Sequence, residues 1–253
     1  MINIVCIKWG NKVYTEKDVN RLYASIKKNT TLPFNFYCFT DEPSGFLPEI
    51  KTEPLPDIRL NGAVDIYTKE VGLCDNNLAD LNGKRVFFFD LDIAIISNLD
   101  ALFNYPKNDE FYIIENWNKK NRNIGQATCY SFIVGKLGYI RDYYKQNESE
   151  VFKKYGKTAQ EYLSAKVIEK YGKLNFFPPE WFISFKIHCL PKWYLRYFLT
   201  PNIPNDKTIK ILCFHGHPRP NEAVKGEWSE KKAWKKLLYK HIKPCKWLEL
   251  YGY

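Results

Sequence analysis

Two aspartates, Asp90 and Asp92, are the residues whose types and spacing best suit chemistry, and they follow the apolar run Phe87-Phe88-Phe89. A carboxylate placed in such surroundings is costly unless it has a partner. Positions i and i+2 of a strand point to the same face, so the two carboxylates are predicted to converge. Oxygen ligands of this kind suit Mg²⁺ or Mn²⁺, either of which would neutralise a departing diphosphate.

A structural alternative exists for this pair: one aspartate caps the next helix and the other is exposed at a strand end. Ser97 or Asn98 is the expected cap of the short helix predicted at 99–103. The metal-binding interpretation is therefore preferred.

A second polar cluster, residues 213–220, closes the last predicted strand with two histidines, a glycine and an arginine. One imidazole is expected to complete the metal site, and the Arg219 guanidinium to hold a phosphate. A core histidine bonded to a backbone carbonyl remains the alternative for His215. For His217 that structural alternative is preferred.

The elements that must position these residues alternate between strands and helices. Strands at 4–9 and 34–40 flank a helix at 16–28, and this order predicts a parallel sheet with ligands beyond its carboxyl ends. Further strands are predicted at 49–55 on an edge, and at 85–96, 111–115 and 209–215; further helices are predicted at 65–78 and 153–170. The predicted fold class is α/β, a single Rossmann-like domain with a central, mostly parallel sheet flanked by helices.

The 253-residue length and 45% hydrophobic content fit one such domain. Seven scattered cysteines without a CxxC pair indicate reduced, buried thiols. Neither a signal-like start nor an apolar run of about 18 residues is apparent, so a soluble, cytoplasmic protein is expected.

The net charge of +10 favours anionic partners, and eight lysines lie between Lys225 and Lys246. We therefore predict a domain at 1–222 and a basic, amphipathic helical tail at 223–253. Such a helix can lie on an anionic membrane surface, near a lipid-linked acceptor and peripheral to the inner face of the membrane. A helix docked on the domain is the equally weighted alternative.

Six segments in order carry a family resemblance: 5–10, 19–23, 37–43, 90–92, 177–181 and 215–220. Together they resemble bacterial GT-A glycosyltransferases, related in pattern to the glycogenin and lipopolysaccharide galactosyltransferase families. The resemblance implies metal-dependent transfer of a sugar, from a nucleotide-sugar donor that is expected to be uridine-linked, to a glycan or lipid-linked acceptor. The resemblance also implies a role in the synthesis of surface glycans, either lipopolysaccharide or capsule. It slightly favours transfer with retention of the anomeric configuration.

The resemblance also assigns residues to roles. It implies donor-binding roles for Lys8, Trp9, Thr40, Asp41, Lys69, Arg85, Asp90 and Arg219, and manganese or magnesium ligation by Asp90, Asp92 and His215. Ordinary solvated bases remain the alternative for Lys69 and Arg85.

Two departures from the family pattern affect the donor-sugar side. Similar proteins carry an Asp-Gln pair where this chain has Ala159-Gln160, and an Asn-Ser pair near Cys129-Tyr130-Ser131. The proposed catalytic residues are Asp92, Gln160 and Glu161. An inverting enzyme would also need a base, for which Glu161, Asp65 and Glu180 are the candidates.

Two other classes of protein remain open. A haloacid-dehalogenase-like phosphatase also has an Asp-x-Asp after a strand, although usually near the N-terminus and followed by Thr or Val where this chain has Ala94. A basic, aromatic-rich protein that binds nucleic acid is the non-enzymatic alternative. Its basic residues should form a stripe on the domain, whereas here they crowd into the tail, so nucleic acid is not an expected partner.

Overall fold

The computed structural model describes residues 1–58, 70–107, 109–118, 123–156, 158–230 and 232–253. These residues form two compact units. The first comprises Met1–Tyr23, Thr30–Leu91 and Asp100–Phe177, and the second comprises Ala24–Asn29, Asp92–Leu99 and Pro178–Tyr253. No helix in the described ranges is long and apolar enough to cross a bilayer.

Ten strands and six α-helices lie within the described residues. The strands are β1 Ile2–Lys8, β2 Phe34–Thr40, β3 Ile50–Pro54, β4 Arg85–Phe89, β5 Ile93–Ile95, β6 Tyr112–Glu115, β7 Gly125–Ile133, β8 Asn175–Phe176, β9 Phe182–Ser184 and β10 Ile211–Cys213. The helices are α1 Glu16–Lys28, α2 Asp100–Asn104, α3 Gly138–Tyr155, α4 Ala159–Tyr171, α5 Pro220–Lys225 and α6 Ala233–Leu238.

The first unit is built on a seven-stranded sheet in the order β3-β2-β1-β4-β7-β6-β8. Strands β3, β2, β1 and β4 are parallel, and β7 runs antiparallel to both of its neighbours. The buried sides of the strands supply a large aromatic core, in which the rings of Phe88 and Tyr130 stack with centroids 4.7 Å apart. This mixed α/β sheet confirms the predicted fold class.

The second unit contains a three-stranded sheet in the order β5-β10-β9, with β10 antiparallel to β5 and parallel to β9. Residues 223–253 belong to this unit. Cys245 and Leu248 are fully buried in its core, and the Tyr253 hydroxyl donates to the carbonyl oxygen of Ile93 at 2.6 Å. The single amphipathic helix predicted for the tail is wrong, because the described residues of 223–253 are α-helical only at the end of α5 and in α6, and Lys246–Tyr251 forms a 3-10 helix.

The strand predicted at 85–96 is two strands in two different sheets. β4 pairs with β1 and β7, whereas β5 pairs with β10, and a bend at Leu91 and Asp92 separates them. Asp90 and Asp92 therefore do not occupy positions i and i+2 of one strand. That arrangement was the basis for predicting that their carboxylates converge.

Two helix predictions also need correction. The helix predicted at 153–170 is broken after Tyr155 by Gly156, whose φ of 71° lies in the left-handed region that favours glycine. Ser97 does not cap the helix that follows, because its hydroxyl donates to the Ile209 carbonyl oxygen at 2.7 Å. The helix predicted at 65–78 is a third correction: residues 65–69 lie outside the described residues, and 71–78 form no α-helix but contain the 3-10 turn Gly72–Cys74 and the start of a second, Leu78–Asp80.

Candidate functional site

The carboxyl ends of β1 and β2 bring several predicted donor residues together in the first unit. Lys8 and Thr40 are register partners and both are buried. The Lys8 ammonium donates to a carboxylate oxygen of Glu42 at 2.9 Å, which compensates a charge that burial would otherwise penalise. The ion pair between Lys8 and Glu42 therefore fixes the side chains at this edge of the sheet.

The loop after β1 is fixed in the same way. The backbone N–H of Gly10 donates to both carboxylate oxygens of Asp41, at 3.0 and 3.1 Å, and Gly10 has a φ of 56°. Trp9, just before it, is partly buried against the core. Lys8, Trp9, Thr40 and Asp41 thus share one edge of the sheet.

Asp90 lies at the carboxyl end of β4, the strand next to β1. Its backbone N–H donates to the Thr128 carbonyl oxygen at 2.9 Å, and its own carboxylate accepts from the N–H of Leu91 at 3.1 Å. Burial, then Cys38 and finally the Asp90 carboxylate raise the pKa of the Cys6 thiol, which places Asp90 beside the end of β1.

Three polar residues at this edge are absent from the sequence-based set. Asn116 follows β6 and is buried, and its amide nitrogen lies 3.5 Å from the side-chain oxygen of Gln126. The Gln126 amide donates in turn to the Thr128 hydroxyl at 3.0 Å. Only Asn116 carried a signal, because it follows the strand predicted at 111–115 and ligands of such sheets bind beyond the carboxyl ends of the parallel strands; Gln126 and Thr128 lie within β7, where no strand was predicted.

Gln160 and Glu161 lie in the first turn of α4. The Ser164 hydroxyl donates to the Gln160 carbonyl oxygen at 2.7 Å and accepts from the backbone N–H of Gly125 at 2.9 Å, so this turn is tied to the start of β7. Ala159 is fully buried among apolar side chains, where an ionised acid would lack solvent.

The structure does not place Arg85 with these residues, so its expected position near the phosphates is corrected. Arg85 begins β4 whereas Asp90 follows its end, and five strand residues span about 16 Å. Its guanidinium donates to the Glu110 carbonyl oxygen at 3.1 Å and to the Ser131 hydroxyl at 3.0 Å. Lys69 and Asp65 lie outside the described residues.

A surface cavity of the first unit also lies at this opposite edge. Its lining residues are Met1, Ile2, Asn3, Asn35, Lys84, Arg85, Phe87 and Phe103. It contains none of the carboxyl-edge residues, so we do not assign it to the donor.

In the second unit, pairing of β5 with β10 brings Asp92 and His215 to adjacent strand ends. Ile93 is the register partner of Cys213, and the N–H of Phe214 donates to the Asp92 carbonyl oxygen at 3.1 Å. Asp92 is 7% exposed. A nitrogen of the His215 ring, Nε2, lies 2.7 Å from the Ser184 hydroxyl oxygen, which orients the imidazole.

Lys186 is a candidate functional residue of this unit that the sequence-based interpretation missed. It lies in the five-residue π-helical turn Phe185–Cys189, and its ammonium is 3.7 Å from where a Cβ on Gly216 would be. Burial and then the neighbouring Lys240 lower the pKa of Lys186, while Asp92 opposes them. Burial and then Lys186 lower the pKa of His215 from 6.5 to about 4. Asp92, Lys186 and His215 therefore form one electrostatic cluster.

Contacts within the protein hold the rest of the 213–220 segment in place. The ring Nδ1 of His217 lies 2.8 Å from a carboxylate oxygen of Glu222, so its partner is a side chain and not the backbone carbonyl expected of a core histidine. The same carboxylate oxygen accepts from the backbone N–H of Arg219, the N-cap of α5, at 2.8 Å. The Arg219 side chain is half-buried in this loop.

The predicted three-residue metal site is not seen as a group. Among the described ranges, no set of three or more His, Cys, Asp or Glu side chains is clustered as metal ligands would be. Asp92 and His215 belong to the second unit and Asp90 to the first. Nδ1 of the nearby His188 accepts from the Ser184 backbone N–H at 2.8 Å, so this ring is used within the protein.

The depressed pKa of His215 predicts a pH-dependent stability. Between pH 4 and 6.5 the unfolded chain binds a proton that the folded chain does not, so stability falls as the pH drops through this window. The penalty is on the order of 2 kcal/mol after reduction for partial exposure. Urea unfolding of the chelator-treated protein at pH 7 and pH 4.5 should therefore show a smaller loss for His215→Gln than for wild type; equal losses would contradict the shift.

Comparison with proteins of known structure identifies the fold. The galactosyltransferase LgtC, in complex with donor and acceptor sugar analogs, superposes with a TM-score of 0.57 at 12% identity, covering 87% of this chain and 89% of LgtC. The glycosyltransferase GlyE of Streptococcus pneumoniae TIGR4 gives 0.61 at 9% identity over 87% of this chain and 56% of GlyE. Mouse xyloside xylosyltransferase 1 gives 0.50 at 10% identity over 86% and 98% of the two chains.

These neighbours are glycosyltransferases, and the chain shares their GT-A-type fold. No protein-family model matches the sequence, and no curated protein sequence matches it significantly. The fold predicted from the short sequence segments is confirmed.

Proposed function

We propose that this protein is a glycosyltransferase that moves a sugar from a nucleotide diphosphate to an acceptor hydroxyl. The observation that carries the proposal is the cluster of Asp92, Lys186 and His215 at the strand ends of the second unit, within a GT-A fold. Burial and the neighbouring Lys240 disfavour the charged form of Lys186. An anionic ligand such as a diphosphate would therefore stabilise its ammonium strongly.

Two side chains of this cluster, those of Asp92 and His215, are of the types that ligate divalent cations. Asp92 supplies carboxylate oxygens, and burial and Lys186 keep His215 neutral near pH 7, as a metal ligand must be. In the tautomer whose Nε2–H donates to Ser184, the lone pair is on Nδ1, and such a second hydrogen bond is typical of ligating histidines. Bound Mn²⁺ or Mg²⁺ would act as a Lewis acid toward the leaving diphosphate. A ligand role for Asp90, which belongs to the first unit, rests on the family resemblance alone.

The side chains of the chain itself have separable tasks in this proposal. In the first unit, Lys8, Trp9, Thr40 and Asp41 would border the nucleoside, and their internal hydrogen bonds keep that edge rigid before the donor arrives. In the second unit, Lys186 and Arg219 would offset the negative charge that grows on the leaving diphosphate.

The finer assignments rest on the resemblance. We propose a uridine-linked donor, a glycan or lipid-linked acceptor of bacterial surface glycan synthesis, and retention of configuration, with Gln160 and Glu161 on the sugar side. Retention removes the need for a carboxylate base, for which Glu161 and Glu180 would be the described candidates. An inverted anomer in the product would overturn this assignment.

Thermal unfolding with nucleotides tests the donor site without an acceptor. Uridine, guanosine and thymidine diphosphates are compared with and without Mn²⁺. We expect one of them to raise the Tm by about 5 °C at roughly 100 times its Kd, only with metal and not in Asp92→Asn. The absence of any response would favour the phosphatase or nucleic-acid-binding alternatives.

A further inference from the structure

The amino ends of strands β1, β2 and β4 border the surface cavity of the first unit, at the edge of the sheet opposite the donor residues. The cavity has a volume of about 450 Å³, which lies in the range of small-molecule sites. Its polar lining comes from Lys84 and Arg85 at the start of β4, and from Asn3 and Asn35 near the starts of β1 and β2. The proposed sugar transfer uses none of these four side chains.

Positive charge dominates the lining of this cavity. Lys84 is exposed, and its ammonium has no hydrogen-bond or ion-pair partner among the residues that the structure describes. The Arg85 guanidinium donates to the Glu110 carbonyl oxygen and to the Ser131 hydroxyl, and both of these partners are uncharged groups. No carboxylate belongs to the described residues that line the cavity. An anion is therefore the ligand that this lining favours.

Two acids act on Arg85 electrostatically, and both have other partners. A carboxylate oxygen of Asp109 lies 3.4 Å from the Lys136 ammonium, and the Glu110 carboxylate accepts from the Tyr112 hydroxyl at 2.9 Å. Burial lowers the pKa of Arg85, and Tyr112, then Asp109 and Glu110, oppose that effect only in part. An anion bound in the cavity would stabilise the guanidinium charge that burial disfavours.

The rest of the lining is suited to a hydroxyl-bearing ring. The Asn35 amide donates to the Asn3 side-chain oxygen at 3.1 Å, and the Asn3 amide donates to the Arg85 carbonyl oxygen at 3.3 Å. A carboxamide has two N–H donors and two acceptor lone pairs, so these bonds use only part of the capacity of Asn3. Phe87 and Phe103, whose rings meet edge to face with centroids 5.0 Å apart, add an apolar wall. Sugar hydroxyls, which both donate and accept, and sugar ring carbons match such a lining.

We propose that this cavity, at the amino ends of β1, β2 and β4, binds a small phosphorylated sugar. Lys84 and Arg85 hold the phosphate, the two asparagines bind hydroxyls of the ring, and the two phenylalanines pack against its carbons. Inorganic phosphate would use only the cations, and an unphosphorylated sugar only the amides and the aromatic wall. The site lies in the first unit, at the edge away from Asp90, and it does not depend on the proposed sugar transfer.

Titration calorimetry of the full chain in chelator tests the proposal with glucose 6-phosphate, glucose and inorganic phosphate. We expect glucose 6-phosphate to bind at least about tenfold more tightly than glucose or inorganic phosphate, because only it engages the whole lining. Lys84→Gln and Arg85→Gln should each weaken its binding at least about fivefold, since each removes a charge-assisted hydrogen bond. Lys153→Gln, the same change as Lys84→Gln at an exposed position of α3, should bind it as wild type does.

Two further controls separate this site from the proposed donor site and from effects on folding. Lys186 lies in the second unit, so Lys186→Met should bind glucose 6-phosphate as wild type does. Arg85→Gln also removes hydrogen bonds within the first unit, whereas Lys84→Gln replaces an exposed side chain and should keep the wild-type Tm.

Three results would overturn the proposal. The first is that glucose 6-phosphate does not bind, or binds no more tightly than inorganic phosphate. The second is full affinity in the folded Lys84→Gln variant. The third is binding that Lys186→Met abolishes, because the ligand would then lie in the second unit.

Discussion

Replacing Asp92 by asparagine should lower kcat/KM for sugar transfer by about 10³-fold, equivalent to about 4 kcal/mol of lost transition-state stabilisation. The exchange keeps the size of the side chain and removes its charge at a buried position next to β5. In the proposed mechanism that charge would both hold a divalent cation and balance Lys186. Loss of an interaction made mainly in the transition state should appear in kcat more than in KM.

The control for this prediction is Asp142→Asn, the same chemical change at an exposed position in α3. It should leave kcat/KM within about twofold, since surface substitutions away from special features are nearly neutral. Circular dichroism and Tm should show both variants folded. Transfer by Asp92→Asn at a rate similar to that of Asp142→Asn would remove Asp92 from the proposed machinery.

The regular part of the fold followed from periodicity. The helix predicted at 16–28 and the strand predicted at 34–40 have those bounds in the structure, and the 49–55 segment is an edge strand. In these segments the local pattern and the tertiary environment agree. Buried parallel strands are nearly continuous apolar runs, which a sequence displays directly.

The strand predicted at 85–96 shows where the same reasoning fails. An apolar run records burial but not the sheet in which each residue is buried. Val86 pairs within the large sheet and Ala94 within the small one, although both are fully buried. The change of sheet occurs at Asp92, so the polar interruption marked a bend and not the face of one strand.

The candidate site was predictable only where a motif repeated a known pattern. Asp90, Asp92 and His215 were identified by type and spacing, and the structure places Asp92 and His215 at paired strand ends. Lys186 stands in an aromatic stretch without a motif, and a π-helical turn brings it to His215. No periodicity argument anticipates such a turn, because it is rare and short.

Lys186→Met should lower kcat/KM for transfer by about 10²-fold, and Lys186→Arg should retain part of the activity. Methionine keeps the length and apolar contacts of the buried stem while it removes the ammonium that faces Asp92 and His215. Without that cation, burial alone depresses the His215 pKa, so this pKa should rise and the acid-induced loss of stability should shrink.

Transfer activity and the acid-induced loss of stability together distinguish a role of Lys186 in anion binding from a purely structural role. Lys207→Met, at an exposed position of the same unit, should change neither. Titration calorimetry should show nucleoside diphosphate bound at least about tenfold more weakly by Lys186→Met than by wild type, while Lys207→Met binds it normally. If Lys186→Met binds the diphosphate as wild type does but unfolds at lower temperature, Lys186 supports the turn alone. In the proposed mechanism, the positive charge that offsets the leaving diphosphate would then come from the divalent cation and Arg219.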